Sequence, residues 1–202
     1  MLVDLSVQLN NQTPAYPGDP KIQIAQIETV ESDGHLGHSI LLGTHTGTHI
    51  DAPAHMLVAG DSLGAVPIDR FFGTGKLVDA FTIDAIDKAM VESDNIVIFY
   101  TGMSNDYYKP SYFTDYPVMP GEIADYLINK GVKLVGVDTC SVDNTPDFPI
   151  HKRLLGAGIP IAENLTNLDA LQDRNFQVYA FPLNLDLDGA PARVIAETDD
   201  NG

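Results

Sequence analysis

Thirteen residues, GTHTGTHIDAPAH (43–55), hold three of the chain's six histidines together with Asp51. Whether they coil or extend decides how the chain is built around them. The i, i+4 spacing of His45 and His49 suits a helix face, but Thr44, Thr46, Thr48, Gly47 and Pro53 all disfavour a helix interior. Read as extended chain, His45, His49, Asp51 and His55 occupy odd positions and share one face. Four residues of ideal strand would separate His45 from His49 by about 13 Å, whereas ligands of one ion each lie about 2 Å from it. The chain must therefore bend between them, and Gly47, midway, suits a bulge or kink. Imidazole and carboxylate are the nitrogen and oxygen ligands of zinc, manganese or iron. The run is a candidate metal site on strand and bend.

Outward from this run, strand-like stretches rich in β-branched residues lie at 2–9, 21–30, 38–44, 76–81, 95–100, 133–138 and 176–183. Helical stretches are fewer, at 83–91, 121–131 and 152–158. The second has the clearest pattern: Ile123, Ala124, Tyr126 and Leu127 make an apolar face, Pro120 suits the entry and Gly131 the C-cap. After it, strand, helix and the short strand GIPIAEN alternate. The pattern predicts a mixed α and β fold, strand-rich in its first half. Residues 101–120 form a long aromatic loop, of the kind that walls or covers sites. No linker or repeat interrupts the chain, so residues 1–202 read as a single domain.

Composition narrows the partners. The 28 Asp plus Glu against 11 Lys plus Arg give a formal charge of −17, which repels phosphate backbones and anionic membranes. We therefore expect no nucleic acid, no membrane, and a small-molecule substrate. No run approaches the roughly 18 apolar residues of a membrane span. The start, MLVDLSVQLNNQ, lacks a basic segment and a small-residue cleavage site, and Cys140 is the only cysteine. Both features point to a reducing, cytoplasmic setting.

His45-Thr-Gly-Thr-His49-Ile-Asp51-Ala-Pro53-Ala-His55 resembles the signature of the metal-dependent "cyclase" hydrolase family, which includes bacterial kynurenine formamidase. Further blocks resemble the family in order: DLS…TPAYPGDP (4–20), VGVDTCSVD (135–143), HKRLLGAGIPIAENLTNLDAL (151–171) and FPLNLDLDGAPARVIAE (181–197). The resemblance implies a swivelling β/β/α domain of three layers and a homo-oligomer, dimer or tetramer. It also implies two divalent ions per subunit, zinc first and manganese as the alternative. In it His45 and His49 bind one metal, His151 the other, Asp51 and Glu163 bridge both, and His55 is the acid/base. Tyr16 stands where kynurenine formamidase carries a substrate-stacking Trp. Phe71, Phe72, Tyr107 and Tyr108 are further candidates for the pocket wall.

The implied chemistry is hydrolysis of an amide C–N bond, with an aryl formamide of the N-formylkynurenine kind as substrate. An activated water attacks the carbonyl carbon and His55 protonates the departing amine. The alternatives are ring opening of a cyclic amide such as isatin or of a lactone, a metal-dependent lyase or dehydratase, and a non-catalytic metal-binding protein. Asn184-Leu-Asp186-Leu-Asp188-Gly189 imitates a calcium loop, but Ile195 occupies the position of the closing Glu and the Leu alternation reads as strand and turn. Cys140, Asp138 and Asp143 are packing or site-lining residues by position.

Overall fold

A computed structural model describes residues 1–199. Its strands are β1 (Leu2–Asp4), β2 (Gln23–Glu28), β3 (Gly37–Leu41), β4 (His49–Asp51), β5 (Phe72–Val78), β6 (Ile96–Phe99), β7 (Leu134–Val137), β8 (Ile161–Glu163), β9 (Phe176–Pro182) and β10 (Gly189–Thr198). Its α-helices are α1 (Val30–Asp33), α2 (Ile83–Ala89), α3 (Gly121–Lys130) and α4 (Pro149–Gly156). The order β10-β4-β8-β7-β6-β5-β9 closes on itself through the β9–β10 hairpin, giving a seven-strand barrel. β5 to β8 run parallel, β4 and β9 flank them antiparallel, and β10 pairs antiparallel with both β4 and β9. β1 lies on the outer edge of β10, and β2 pairs only with β3.

Alternation along the strands sorts the core into two faces. Ile96, Ile98, Leu134 and Ala162 fill the barrel with Val178, Ala180, Val194 and Ala196. Their neighbours Val97, Phe99, Val135, Val137 and Ile161 point outward, against Ile123 and Leu127 of α3 and Leu154 of α4. Strands buried on both faces read as continuous apolar runs, which is why 95–100 and 133–138 stood out in the sequence. α3 ends as its pattern predicts, with Gly131 left-handed at φ 69°.

Other boundaries move for tertiary reasons. The strand expected over 2–9 stops at Asp4, because beyond it Val194 N donates to Ser6 Oγ, Leu5 O accepts from Thr166 N and Val7 N donates to Thr48 Oγ1, which takes these groups out of the β10 ladder. The strand expected to open at Lys76 opens at Phe72. Gly75 belongs to it because the Phe176 ring of β9 lies over it, leaving no room for a Cβ, and a Cβ on Gly73 would lie 3.2 Å from Asp94 O. β10 lies within a block noted only for its resemblance, and no strand was expected there, because Gly189 and Pro191 break the strand pattern. Nonetheless it is the longest strand and closes the barrel.

Candidate active site

Ile50 points into the barrel, so its neighbours His49 and Asp51 point out of it. β4 pairs with β8 in the register His49↔Glu163, which sets that carboxylate beside the imidazole on the outer face. The bend expected between His45 and His49 is present. Gly47 has φ +67°, and the two imidazoles lie edge to face with centroids 5.0 Å apart. His151 comes from the first turn of α4. Both oxygens of Asp143 accept the Ile150 amide, and Oδ2 also accepts the His151 amide and the His151 Nδ1 proton at 2.9 Å. One acid thus caps the helix and aims its histidine.

Each of three imidazoles is pinned from behind. His49 Nδ1 donates to Gly47 O at 2.8 Å, His151 Nδ1 to Asp143, and His45 Nε2 to Asp188 Oδ2 at 2.8 Å. Their other nitrogens face the two buried carboxylates. His45 Nδ1 lies 2.7 Å from Asp51 Oδ1, and His49 Nε2 lies 3.2 Å from the same oxygen and 3.5 Å from Glu163 Oε2. His151 Nε2 lies 3.5 Å from Asp51 Oδ2 and 3.2 Å from Glu163 Oε1. Asp51 Oδ2 is buried with no hydrogen-bond partner. With protons held on the outer nitrogens, the inner atoms are lone pairs facing lone pairs. That arrangement is unfavourable unless a cation sits among them, so the residues fit a metal centre. Two sets of donor atoms converge, His45–Asp51–His55 and His49–Asp51–Glu163, sharing Asp51.

The electrostatics carry the same message. Burial pushes the His49 imidazole down, but Asp51 and Glu163 more than offset it and raise its pKa to about 10. His45 and His151 are raised by their carboxylate neighbours against the same opposition. Burial drives the carboxylates up, yet the imidazoles hold both Asp51 and Glu163 below their ordinary values. The two carboxylates thus favour positive charge among the imidazoles that face them. His55 differs: burial lowers its pKa, and its neighbours do not reverse this. It sits at the open side, its ring 3.9 Å from that of His45 and its Nδ1 3.4 Å from Asp188 Oδ2.

Above the cluster lies a cavity of about 370 Å³, walled by Pro14, Tyr16, Met56, Tyr107, Phe113 and Phe148. Tyr16 meets Phe113 edge to face at 6.3 Å. Of the wall candidates, Tyr107 lines it and the others do not. Phe71 is buried in the barrel core, Phe72 packs outside against Phe181, and Tyr108 is 61% exposed. Sequence reasoning did not single out Asp188, Asp19 or Asn164, and left Asp143 without a role. Asp188 stood inside the rejected calcium pattern. Asn164, left-handed at φ 57°, receives the Tyr112 hydroxyl and donates to Gly47 O, the carbonyl that orients His49.

A fold of this kind, with imidazoles and acids converging beneath a cavity, is the class found in metal-dependent hydrolases. The family described as putative cyclase matches residues 3–144, and this chain belongs to it. It is 34% identical over 203 residues to a kynurenine formamidase of Bacillus cytotoxicus, covering 96% of this chain and 95% of that one. Among solved structures it is similar to isatin hydrolase A from Ralstonia solanacearum, with TM-score 0.84 and 26% identity over 97% of this chain and 91% of that one. It is also similar to a predicted metal-dependent hydrolase from Bacillus stearothermophilus, with TM-score 0.80 and 28% identity over 97% of both chains.

Proposed function

We propose that this chain is a metal-dependent amide hydrolase acting on aryl formamides of the N-formylkynurenine kind. The observation that carries the reading is the set of rear-pinned imidazoles facing Asp51 and Glu163, with one carboxylate oxygen left unpartnered beneath an aromatic cavity. His45, His49, Asp51, His151 and Glu163 would hold two divalent ions, zinc first and manganese as the alternative; the convergent set His49–Asp51–Glu163 lies wholly among them, and His151 Nε2 faces both of its carboxylates. Such ions lower the pKa of water and polarise a carbonyl.

The chain's own residues supply the rest. His55, its pKa lowered by burial and its ring steadied by Asp188, would take a proton from the attacking water and pass it to the amide nitrogen as the C–N bond breaks. Water's oxygen joins the carbonyl carbon, and formate and an aryl amine leave. Tyr16 and Phe113 hold the ring. The same groups would open a cyclic amide, a second reading that the similarity to isatin hydrolase A supports.

In our reading residues 1–202 form one domain of the swivelling β/β/α class, supported by the helices layered on the parallel strands. The lone buried Cys140 suits a cytoplasmic setting. No helix among the described residues is long and apolar enough to cross a membrane. The charge of −17 favours a small-molecule partner over nucleic acid or an anionic membrane. A homodimer or homotetramer is supported by the β2–β3 hairpin, which exposes Ile27, Ile40 and Leu41.

The test is formate release from an aryl formamide in oxygen-labelled water, with zinc- or manganese-loaded protein. We expect label in the formate and loss of rate on chelation. His55→Ala should keep its metal and lose about 10²-fold or more in kcat, whereas His49→Ala should lose metal. Metal loss in His55→Ala would make His55 a ligand. A loaded protein inert towards aryl formamides and cyclic amides alike would overturn the reading.

A further inference from the structure

We infer that the cavity selects aromatic amides whose side chain carries no carboxylate, and that Asp19 at its mouth favours those bearing a positive charge. The inference deepens the amide-hydrolase reading and rests on it. Among the described residues no Lys or Arg lines the cavity. Outside the buried cluster, Asp19 is the only charged side chain among the described residues on its wall. Its place is fixed by a tight turn: the Asp19 amide donates to Tyr16 O at 3.0 Å, and Gly18 takes φ +103°. Tyr16 and Asp19, the two ends of this turn, both line the cavity.

The metal centre would not repair the deficit. Asp51 and Glu163 within it, and Asp143 and Asp188 behind its histidines, already match the charge of two divalent ions. Asp19 then leaves the site with surplus negative charge. Lys109 lines a separate groove on the far side of Tyr107, exposed and paired with Asp106 at 2.6 Å. A carboxylate entering the cavity would lose its water and find no cation to replace it. The chain's net charge would oppose its approach as well. An uncharged aryl amide meets neither penalty, and an ammonium group finds Asp19.

The experiment holds the aryl ketone constant and varies only its side chain, using the zinc-loaded enzyme. The N-formyl compounds are 2-formamidoacetophenone (uncharged), N-formylkynuramine (cationic), N-formylkynurenine (zwitterionic) and its desamino acid (anionic). We expect kcat/KM to fall in the order cationic, uncharged, zwitterionic, anionic, with at least about tenfold between uncharged and anionic. Asp19→Lys should reverse the cationic and anionic ends. An anionic substrate as good as the uncharged one would overturn the selection, and an order untouched by Asp19→Lys would remove Asp19 from it. Failure to hydrolyse any of the four would sink the aryl-formamide activity instead. Calorimetric binding of the four deformylated amines would then still decide the matter. The same order would uphold charge selection, and a flat or reversed order would overturn it.

Discussion

His49 has one ring nitrogen on the Gly47 carbonyl and the other between Asp51 and Glu163, with almost none of its surface exposed. Its pH behaviour follows. In metal-free protein its pKa is raised from 6.5 to about 10. The stability that the protonated ring contributes is therefore complete below about pH 6.5 and is lost as pH climbs through about 10. Asp51 and Glu163 are shifted the other way, down from 3.8 and 4.5. What they contribute is present above those values and is lost on acidification. Chelated protein should thus melt highest between about pH 4.5 and 6.5 and progressively lower towards pH 10. Added zinc should reverse the alkaline limb, because metal requires deprotonated imidazoles and binds better as pH rises. Calorimetric scans with and without chelator read both trends. A chelated protein with the same melting temperature at pH 6.5 and pH 10 would contradict the imidazole–carboxylate coupling.

The bend over 43–48 and β4 together act as one element that converts a linear motif into a cluster. Gly47 is its pivot: its φ of +67° is left-handed, and a Cβ there would overlap Leu9 Cδ2 and sit 3.3 Å from Val7 Cγ2. Its carbonyl serves both His49 and Asn164. Gly47→Ala should cost about 1–2 kcal/mol of stability from the backbone alone. It should also lower metal content, since His45 and His49 would lose their relative placement. Urea unfolding and metal analysis of the purified variant read the two effects separately. A variant with normal stability and full metal would show that the bend tolerates a side chain. Gly189 plays a comparable part in β10, where a Cβ would sit 2.8 Å from His45 Cε1.

Across the whole molecule, the barrel is covered by helices along its parallel strands, while the β2–β3 hairpin stands apart. Asn11 tethers it through two hydrogen bonds with the Ile24 backbone. Ile27, Ile40 and Leu41 are each about 60% exposed on it. Isolated two-stranded hairpins are marginal in water, and in the homo-oligomer proposed above a second copy of the chain would bury these side chains. On that proposal, replacing Ile40 and Leu41 together by Lys should leave a monomer with the barrel still folded. Sedimentation and circular dichroism would read this, and an unchanged sedimentation coefficient would exclude the hairpin from the contact.

Local chemistry determined much of this protein from the sequence alone. The helix-breaking residues among 43–55 ruled out an α-helix, and the reach of imidazoles called for a bend at Gly47. The extended chain expected there, however, is confined to His49–Asp51: residues 44–48 turn, and Pro53–His55 is a 3-10 helix that brings His55 in off the strand register. The Pro120 and Gly131 signals gave the ends of α3. The metal-ligating residue types were likewise visible, and the family blocks tied His151 and Glu163 to them. Only the tertiary structure decided what holds those side chains. Asp188 reaches His45 across 143 residues, and Asn164 reaches Gly47 across 117. Even Asp143, eight residues before His151, acts through a loop shape that no periodicity encodes. The same holds for barrel closure by β10 and for the charge of the cavity wall. Period and propensity act between near neighbours, whereas these partners meet only once the barrel has folded.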